Sequence, residues 1–434
     1  MTDTSQPQTP KRELGFAAAV GIVVGQSIAL GIFLTPASMA KSLGSPMLLL
    51  LVWVAMAVMT MSGALCYAEL GVRFPQSGGE VVYLREGFGE TAGYLYGWMA
   101  AFVMYPGVAA ALAVGTGAYL AQIFPFSHLV AATIPALTIV FFAVINILGT
   151  KISGGLLSFI NVLKLVILFA LVAWALISGH TESRNLVPFA ARRAGSDSLI
   201  PALAGAAVGA FFSFGGWWEA GKIAGEIRNP QKYLPLALVS GVSVVTLVYI
   251  LISGVFVSVI PIQSVTDSPA FVAQFGSVLF GGAGARILSA CVVLCVAGGL
   301  SALMMAAPRV SFSMAQSGSF FPAFAKLSPR WNTPVHAILL QTGLAIAVLL
   351  LGAFDRILAY IIFSAIVFLA VTVCVLFRLR PSIDRWWFPA APVIYVAFSA
   401  VIGGLILLHN PLPALIGVAV VLAGLPVRRF FSRR

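Results

Sequence analysis

Apolar residues fill this chain in long, nearly unbroken blocks such as Met47–Met61, Val130–Ile147 and Leu234–Ile260, parted by short polar stretches. They do not alternate every second residue, so barrel strands are not indicated. A bilayer-spanning helix takes roughly 20 apolar residues. Twelve such segments can be laid along the chain: 15–40, 46–68, 91–123, 128–149, 152–179, 199–225, 233–260, 284–308, 334–353, 357–378, 388–408 and 412–427. A helix satisfies its own backbone hydrogen bonds, as hydrocarbon demands. The pattern predicts an all-α polytopic membrane protein of 12 transmembrane helices in a single membrane domain, with polar tails at 1–14 and 428–434. No cleavable signal peptide is expected, because the first block has spanning length and follows a tail with Lys11 and Arg12.

Composition sharpens this. Of 434 residues, 60% are hydrophobic and 9% charged, and a water-soluble domain could not hide so much apolar surface. The net charge of +12 invites a nucleic-acid reading, but topology accounts for it. With the N-terminus inside, six basic residues fall outside (Lys41, Arg184, Arg192, Arg193, Arg286 and Arg356), two fall within spans (Lys164 and Lys222), and the rest lie inside. This positive-inside bias puts both termini in the cytoplasm of a cell-membrane protein, with the lipid bilayer and no nucleic acid as partner. Cys66, Cys291, Cys295 and Cys374 all fall in apolar helices, without metal-ligand spacing to a histidine, and read as buried small residues. No metal or cofactor is expected. No nucleotide-binding loop or nucleophile elbow is evident, which argues against a pump or an enzyme.

Three connections are longer. Residues 69–90, inside, could form a short interfacial helix; 180–198 lie outside; 261–283, also outside, could form a lid. Two helices are rich in glycine: the first has Gly21, Gly25 and Gly31 before Pro36, and the sixth has Gly205, Gly209, Gly215 and Gly216 before Asn229-Pro230. Each glycine costs about 1 kcal/mol against alanine in a helix. Close helix packing is one use for them. The two segments, however, each open a run of five helices, 1–5 and 6–10, and breaks at matching positions point to an inverted-repeat transporter with its site at the midplane. Unwinding frees N–H groups that bind a carboxylate and carbonyls that accept from an ammonium, which suits an amino acid.

Four stretches carry a family resemblance over about residues 13–380. They are Gly31-Ile32-Phe33-Leu34-Thr35-Pro36; Tyr67-Ala68-Glu69-Leu70-Gly71 with Pro75, Ser77-Gly78-Gly79-Glu80 and Tyr83; Phe212-Ser213-Phe214-Gly215-Gly216-Trp217 with Glu226-Ile227-Arg228-Asn229-Pro230; and Arg309, Gly318, Pro322 and Thr333-Pro334. The chain resembles the amino acid–polyamine–organocation (APC) superfamily, and within it the L-type amino acid transporter branch and its bacterial relatives. The resemblance implies a LeuT-like fold: 5+5 inverted repeats (15–179 and 199–378) with helices 1 and 6 broken, plus two extra helices (388–427). It implies secondary transport by alternating access, as sodium-independent exchange of small or medium neutral L-amino acids or, alternatively, as proton-coupled transport of an amino acid or of an amine or polyamine, with substrate held by Gln26, Ser27, Ile28, Ala29, Leu30, Gly31, Phe212, Ser213, Phe214, Gly215, Trp217 and Trp218. It makes Phe212 the outer gate. Leu30, where the family has a small residue, argues for altered or smaller substrates. The family's single-pass partner is joined through an extracellular cysteine; the sequence offers none, so no obligate protein partner is expected.

Charges inside a membrane cost ~2.5–3.5 kcal/mol each on insertion scales and need a reason. Lys164 matches a family lysine that looks like a built-in replacement for sodium. It would donate to carbonyls near Gly25–Ala29, with the Ser301 region in reach. Glu219 and Lys222, at i and i+3, can pair. Glu219 is alternatively a substrate or proton-transfer contact, and it is grouped with Lys164 as a coupling residue. Glu69 reads as a gate or structural residue and Arg309 as an anchor of the inner face. A channel is the rival from another class, but no carboxylate ring or filter-like repeat is evident.

Overall fold

The computed structural model describes residues 10–29, 31–124, 126–265, 270–351, 354–380, 386–409 and 411–431. The first apolar block forms two helices, α1 (Phe16–Ser27) and α2 (Gly31–Leu43). Next come α3 (Pro46–Arg73), capped by the Ser45 side chain, and the short α4 (Glu80–Phe88). α5 (Glu90–Met99) runs through a five-residue π-helix, Ala100–Met104, into α6 (Tyr105–Ile123). α7 (His128–Ile147) and α8 (Thr150–Ile177) follow. The sixth block is α9 (Leu199–Phe214) and then a 3-10 helix, Trp217–Glu226. The chain continues through α10 (Pro230–Val259), α11 (Ala270–Phe280), α12 (Gly284–Ala306), α13 (Pro308–Gln316), α14 (Val335–Leu350), α15 (Phe354–Leu379), α16 (Ala390–His409), α17 (Pro411–Leu422) and α18 (Gly424–Phe431).

Among the described residues, nine helical segments are long and apolar enough to cross a membrane, and α1 and α14 are shorter apolar helices. This is a polytopic all-helical architecture. The difference from twelve continuous spans has local causes. The first block is interrupted after Ser27. The last is split into α17 and α18, whose first turn holds Pro426. Two of the longer connections hold helices. The interfacial helix begins only at Glu80, because α3 continues through Glu69 to Arg73. Much of 261–283 is α11, whose buried Phe275 packs edge-on against Phe256 at 4.4 Å.

α10 lies along α3, and α1 is wedged among α8, α10 and α12. The N-terminal segment is stitched to the end of the 3-10 helix: Leu14 N donates to Glu226 O at 2.9 Å and Arg228 N donates to Leu14 O at 2.8 Å. Exposed apolar side chains such as Leu129, Phe159, Ile177 and Leu408 lie on the periphery, as lipid-facing helices require.

Candidate substrate site between two helix breaks

α1 ends at Ser27, with Ile28 N still bonded to Val24 O, and α2 restarts at Gly31. α9 ends at Phe214, and Gly216 takes a positive φ of 99° before the 3-10 helix begins. The glycines are required by close approach. A Cβ on Gly31 would come within 2.7 Å of the Ser213 backbone, and one on Gly216 would strike Gln26. The breaks are tied together by Ser27 Oγ, which donates to Phe214 O at 3.1 Å, and by the Tyr249 hydroxyl of α10, 2.6 Å from both Ser27 O and Ser213 O.

A cavity of about 90 Å³ opens between them. One water needs roughly 10–15 Å³ on this measure, so the space takes a ligand of several heavy atoms. Of the residues named from the sequence, Gln26, Ser27, Ala29, Gly31, Phe212, Gly215, Trp218 and Glu219 line it. Ile28, Ser213, Phe214 and Trp217 do not. Ile28 gives its carbonyl to Lys164, and Ser213 bonds the Thr35 hydroxyl at 2.7 Å. Phe214 packs on Trp53 and Tyr249, and Trp217 on Tyr67 and Tyr395. These four build the frame of the breaks. Leu30 lies outside the described residues. Met104 at the end of the π-helix, Tyr105, Val108 and Leu112 of α6, Phe211 of α9, Gly216, Leu303 of α12, and Ile362 and Ala365 of α15 complete the wall. Tyr105 carried a signal, a polar aromatic inside an apolar block, whereas the aliphatic residues look like any lipid-facing position.

Lys164, fully buried, sends its ammonium to Val24 O at 3.1 Å, Gly25 O at 3.2 Å and Ile28 O at 2.8 Å. Its three donors thus sit on the carbonyl end of α1, where a cation meets the negative pole of the helix. Asn161 helps, donating to Gly21 O at 2.8 Å. Ser301 is not among these partners; its buried hydroxyl has none among the described residues.

Glu219 and Lys222 touch at 3.2 Å, but the pair is part of something larger. Glu80 of α4 lies 2.8 Å from the same ammonium, and the Tyr105 hydroxyl donates to Glu219 at 3.2 Å. Lower on the 3-10 helix, Arg309 holds Glu226 in a two-pronged pair, Nε to Oε1 at 2.7 Å and Nη2 to Oε2 at 3.0 Å, with Thr150 Oγ1 donating to Oε2 at 2.7 Å. Glu69 is buried in α3, outside the cavity wall. Cys66, Cys291 and Cys295 are buried thiols.

A polytopic helical protein with a buried site between two interrupted helices is built as a membrane transporter. The amino acid permease profile matches residues 14–426, and the chain belongs to that family: it is an amino acid transporter and not an enzyme. It is 28% identical over 436 residues to the serine/threonine exchanger SteT of Bacillus subtilis (strain 168), covering 98% of each chain. It is 30% identical over 430 residues to the Homo sapiens large neutral amino acids transporter small subunit 2, covering 96% of this chain and 80% of that one. To the Mus musculus Asc-type amino acid transporter 1 it is 29% identical over 437 residues, with 96% and 80% covered.

Proposed function

We propose that this chain exchanges small or medium neutral L-amino acids across the cell membrane by alternating access, without sodium. One observation carries the reading: both breaks open on one cavity, so helix ends of opposite polarity face the same small volume. The N–H groups of the first turn of α2 favour a carboxylate, and the carbonyl pole of α9, where Ser213 O and Phe214 O also accept from Tyr249 and Ser27, favours an ammonium. A zwitterion is held without a dedicated charged side chain. In this reading the helices form a LeuT-like 5+5 inverted repeat with two extra spans. The first span is α1 with α2 and the sixth is α9 with the 3-10 helix. Both termini are cytoplasmic, supported by the excess of Lys and Arg on that side.

Lys164 replaces the sodium ion that would otherwise tie helix 1 to helix 5, its ammonium serving as a fixed strut on the α1 carbonyls. Phe212, half-buried in the cavity wall one turn before Gly215, is the outer gate. Leu30 restricts substrate size. The chain works without an obligate protein partner.

Counterflow of labelled serine, threonine, alanine and leucine in proteoliposomes holding only this chain tests the reading. Saturable counterflow that persists with choline in place of sodium is expected. A large drop in choline removes the lysine-for-sodium role, and absence of counterflow removes exchange. Lys164→Ala and Phe212→Ala should each abolish most transport with expression intact, and Leu30→Ser should reorder the substrate ranking.

A further inference from the structure

A second cavity lies where the N-terminal segment meets the end of the 3-10 helix. Its volume is about 420 Å³, more than four times that of the first. The 3-10 helix separates the two: Trp218 and Glu219 near its start line the substrate cavity, and Gly225 near its end lines this one. Around Gly225 stand Arg12 of the N-terminal segment, Ser77 of the turn between α3 and α4, Arg85 of α4, and Ser317 beyond α13.

The charge of this wall is one-sided. Arg12 and Arg85 line it, and among the described residues no carboxylate does. Arg12 is exposed and meets no carboxylate among the described residues. Arg85 is shared with Glu86 at 3.1 Å and Glu90 at 3.9 Å, both outside the wall. Ser77 is only 6% exposed, and its buried hydroxyl has no partner among the described residues. Gly225 leaves the room above that hydroxyl, since a Cβ there would come within 2.6 Å of Ser77 Oγ. A buried hydroxyl without a partner is costly, and one that borders a cationic cavity points to an acceptor that arrives from outside.

Two guanidinium groups and a spare hydroxyl suit an oxyanion with several acceptor oxygens. A phosphate group answers this best, because two of its oxygens take a guanidinium in a two-pronged pair and another remains for the hydroxyl. An amino acid fits poorly, because the wall has no carboxylate for its ammonium. We propose that this cavity binds a phosphate group through Arg12, Arg85 and Ser77, and that the occupied site slows amino acid exchange. The phosphate is that of a free ion or ester, or that of an anionic phospholipid headgroup. Arg12 lies two residues before Leu14, whose backbone bonds Glu226 and Arg228 at the end of the 3-10 helix. A phosphate held between Arg12, Ser77 and Arg85 therefore ties the lead-in of the first broken helix to α4, beside the end of the second. Alternating access requires such parts to separate when the site opens on their side, and a ligand bridging them favours the state in which they are together. The effect on rate rests on the exchange reading; the binding does not.

Binding is tested first, on the full chain in detergent. The melting temperature is followed while potassium phosphate replaces potassium chloride at constant pH and ionic strength. Wild type should show a saturable rise. Arg12→Gln and Ser77→Ala should each raise the half-saturating concentration at least about tenfold. Lys151→Gln removes an exposed charge outside the wall and should keep the wild-type midpoint. The melting temperature is then compared in nanodiscs of phosphatidylcholine with and without phosphatidylglycerol. A rise with free phosphate that the two variants weaken assigns a free ion or ester. A rise with phosphatidylglycerol alone, lost in Arg12→Gln, assigns the headgroup. No rise with either, or equal rises in wild type and both variants, overturns the site. In proteoliposomes the ligand that binds should slow wild-type counterflow severalfold at saturation and leave Arg12→Gln unaffected. Wild-type counterflow indifferent to that ligand overturns the regulatory role. Saturable binding with no counterflow under any condition would instead count against exchange itself and leave the binding site standing.

Discussion

Glu219 and Glu226 share one 3-10 helix, and each is about 1% exposed. Glu226 meets a single arginine in a two-pronged pair, with Thr150 on one oxygen. Its charge is balanced and fixed at the point where Leu14, Glu226 and Arg228 lace the N-terminal segment to the helix. Glu219 shares one lysine with Glu80 and lies against the cavity. Residue type, element and burial are the same; the count of opposite charges and the access to the cavity differ. The balanced pair is suited to holding the helix in place and the unbalanced one to changing its protonation.

The largest expected effect comes from unbalancing the balanced pair. Arg309→Ala should strand the Glu226 carboxylate and cost ~3–5 kcal/mol, seen as loss of monodisperse protein and a depressed melting temperature in detergent. Adding Glu226→Ala should recover much of it. A single variant as stable as wild type would show that the pair does not hold the helix.

Next is Lys222→Met, which leaves two carboxylates facing each other. The destabilisation should be strong but smaller than for Arg309→Ala, because Glu219 can draw a proton through the cavity. Glu80→Gln added to Lys222→Met should restore thermal stability. No rescue would mean that packing of the lysine stem, and not charge, dominates.

Thr150→Val removes one donor to Glu226, worth ~1.5–3 kcal/mol for a hydrogen bond to a charged group. The melting temperature should fall with counterflow unchanged; altered counterflow would link the Glu226 pair to the cavity.

Smallest in stability is Tyr105→Phe, at ~0.5–1.5 kcal/mol. Here the readout is the pH dependence of the melting temperature, which should shift although the Glu226 pair is untouched. An unmoved profile would show that the Tyr105 hydroxyl does not set the protonation of Glu219.

How much of this was legible in the chain differs from residue to residue. The helical blocks could be read directly, because hydrocarbon leaves the backbone so few choices. The interruptions at 28–29 and 215–216 are announced by Gly31 and by Gly215-Gly216. Lys164 stood out as a charge in the middle of an apolar block. Which carbonyls it meets follows from α1 lying beside α8. Within the breaks, sequence could not say that Ser27 and Gln26 face the cavity while Ile28, Ser213, Phe214 and Trp217 build its frame. Away from regular helix the 3.6-residue period no longer tells which way a side chain points.

The sequence by itself determined that this is a helical membrane protein with two interrupted spans, through local rules: apolar block length, glycine placement, and the cost of charge in lipid. Only the tertiary structure decided the partners. Lys222 and Glu80 are separated by 142 positions and Arg309 and Glu226 by 83. No periodicity connects residues so far apart. They meet because α4 and α13 dock on the 3-10 helix, and in the low-dielectric interior that docking settles which buried charges balance and which one is left over.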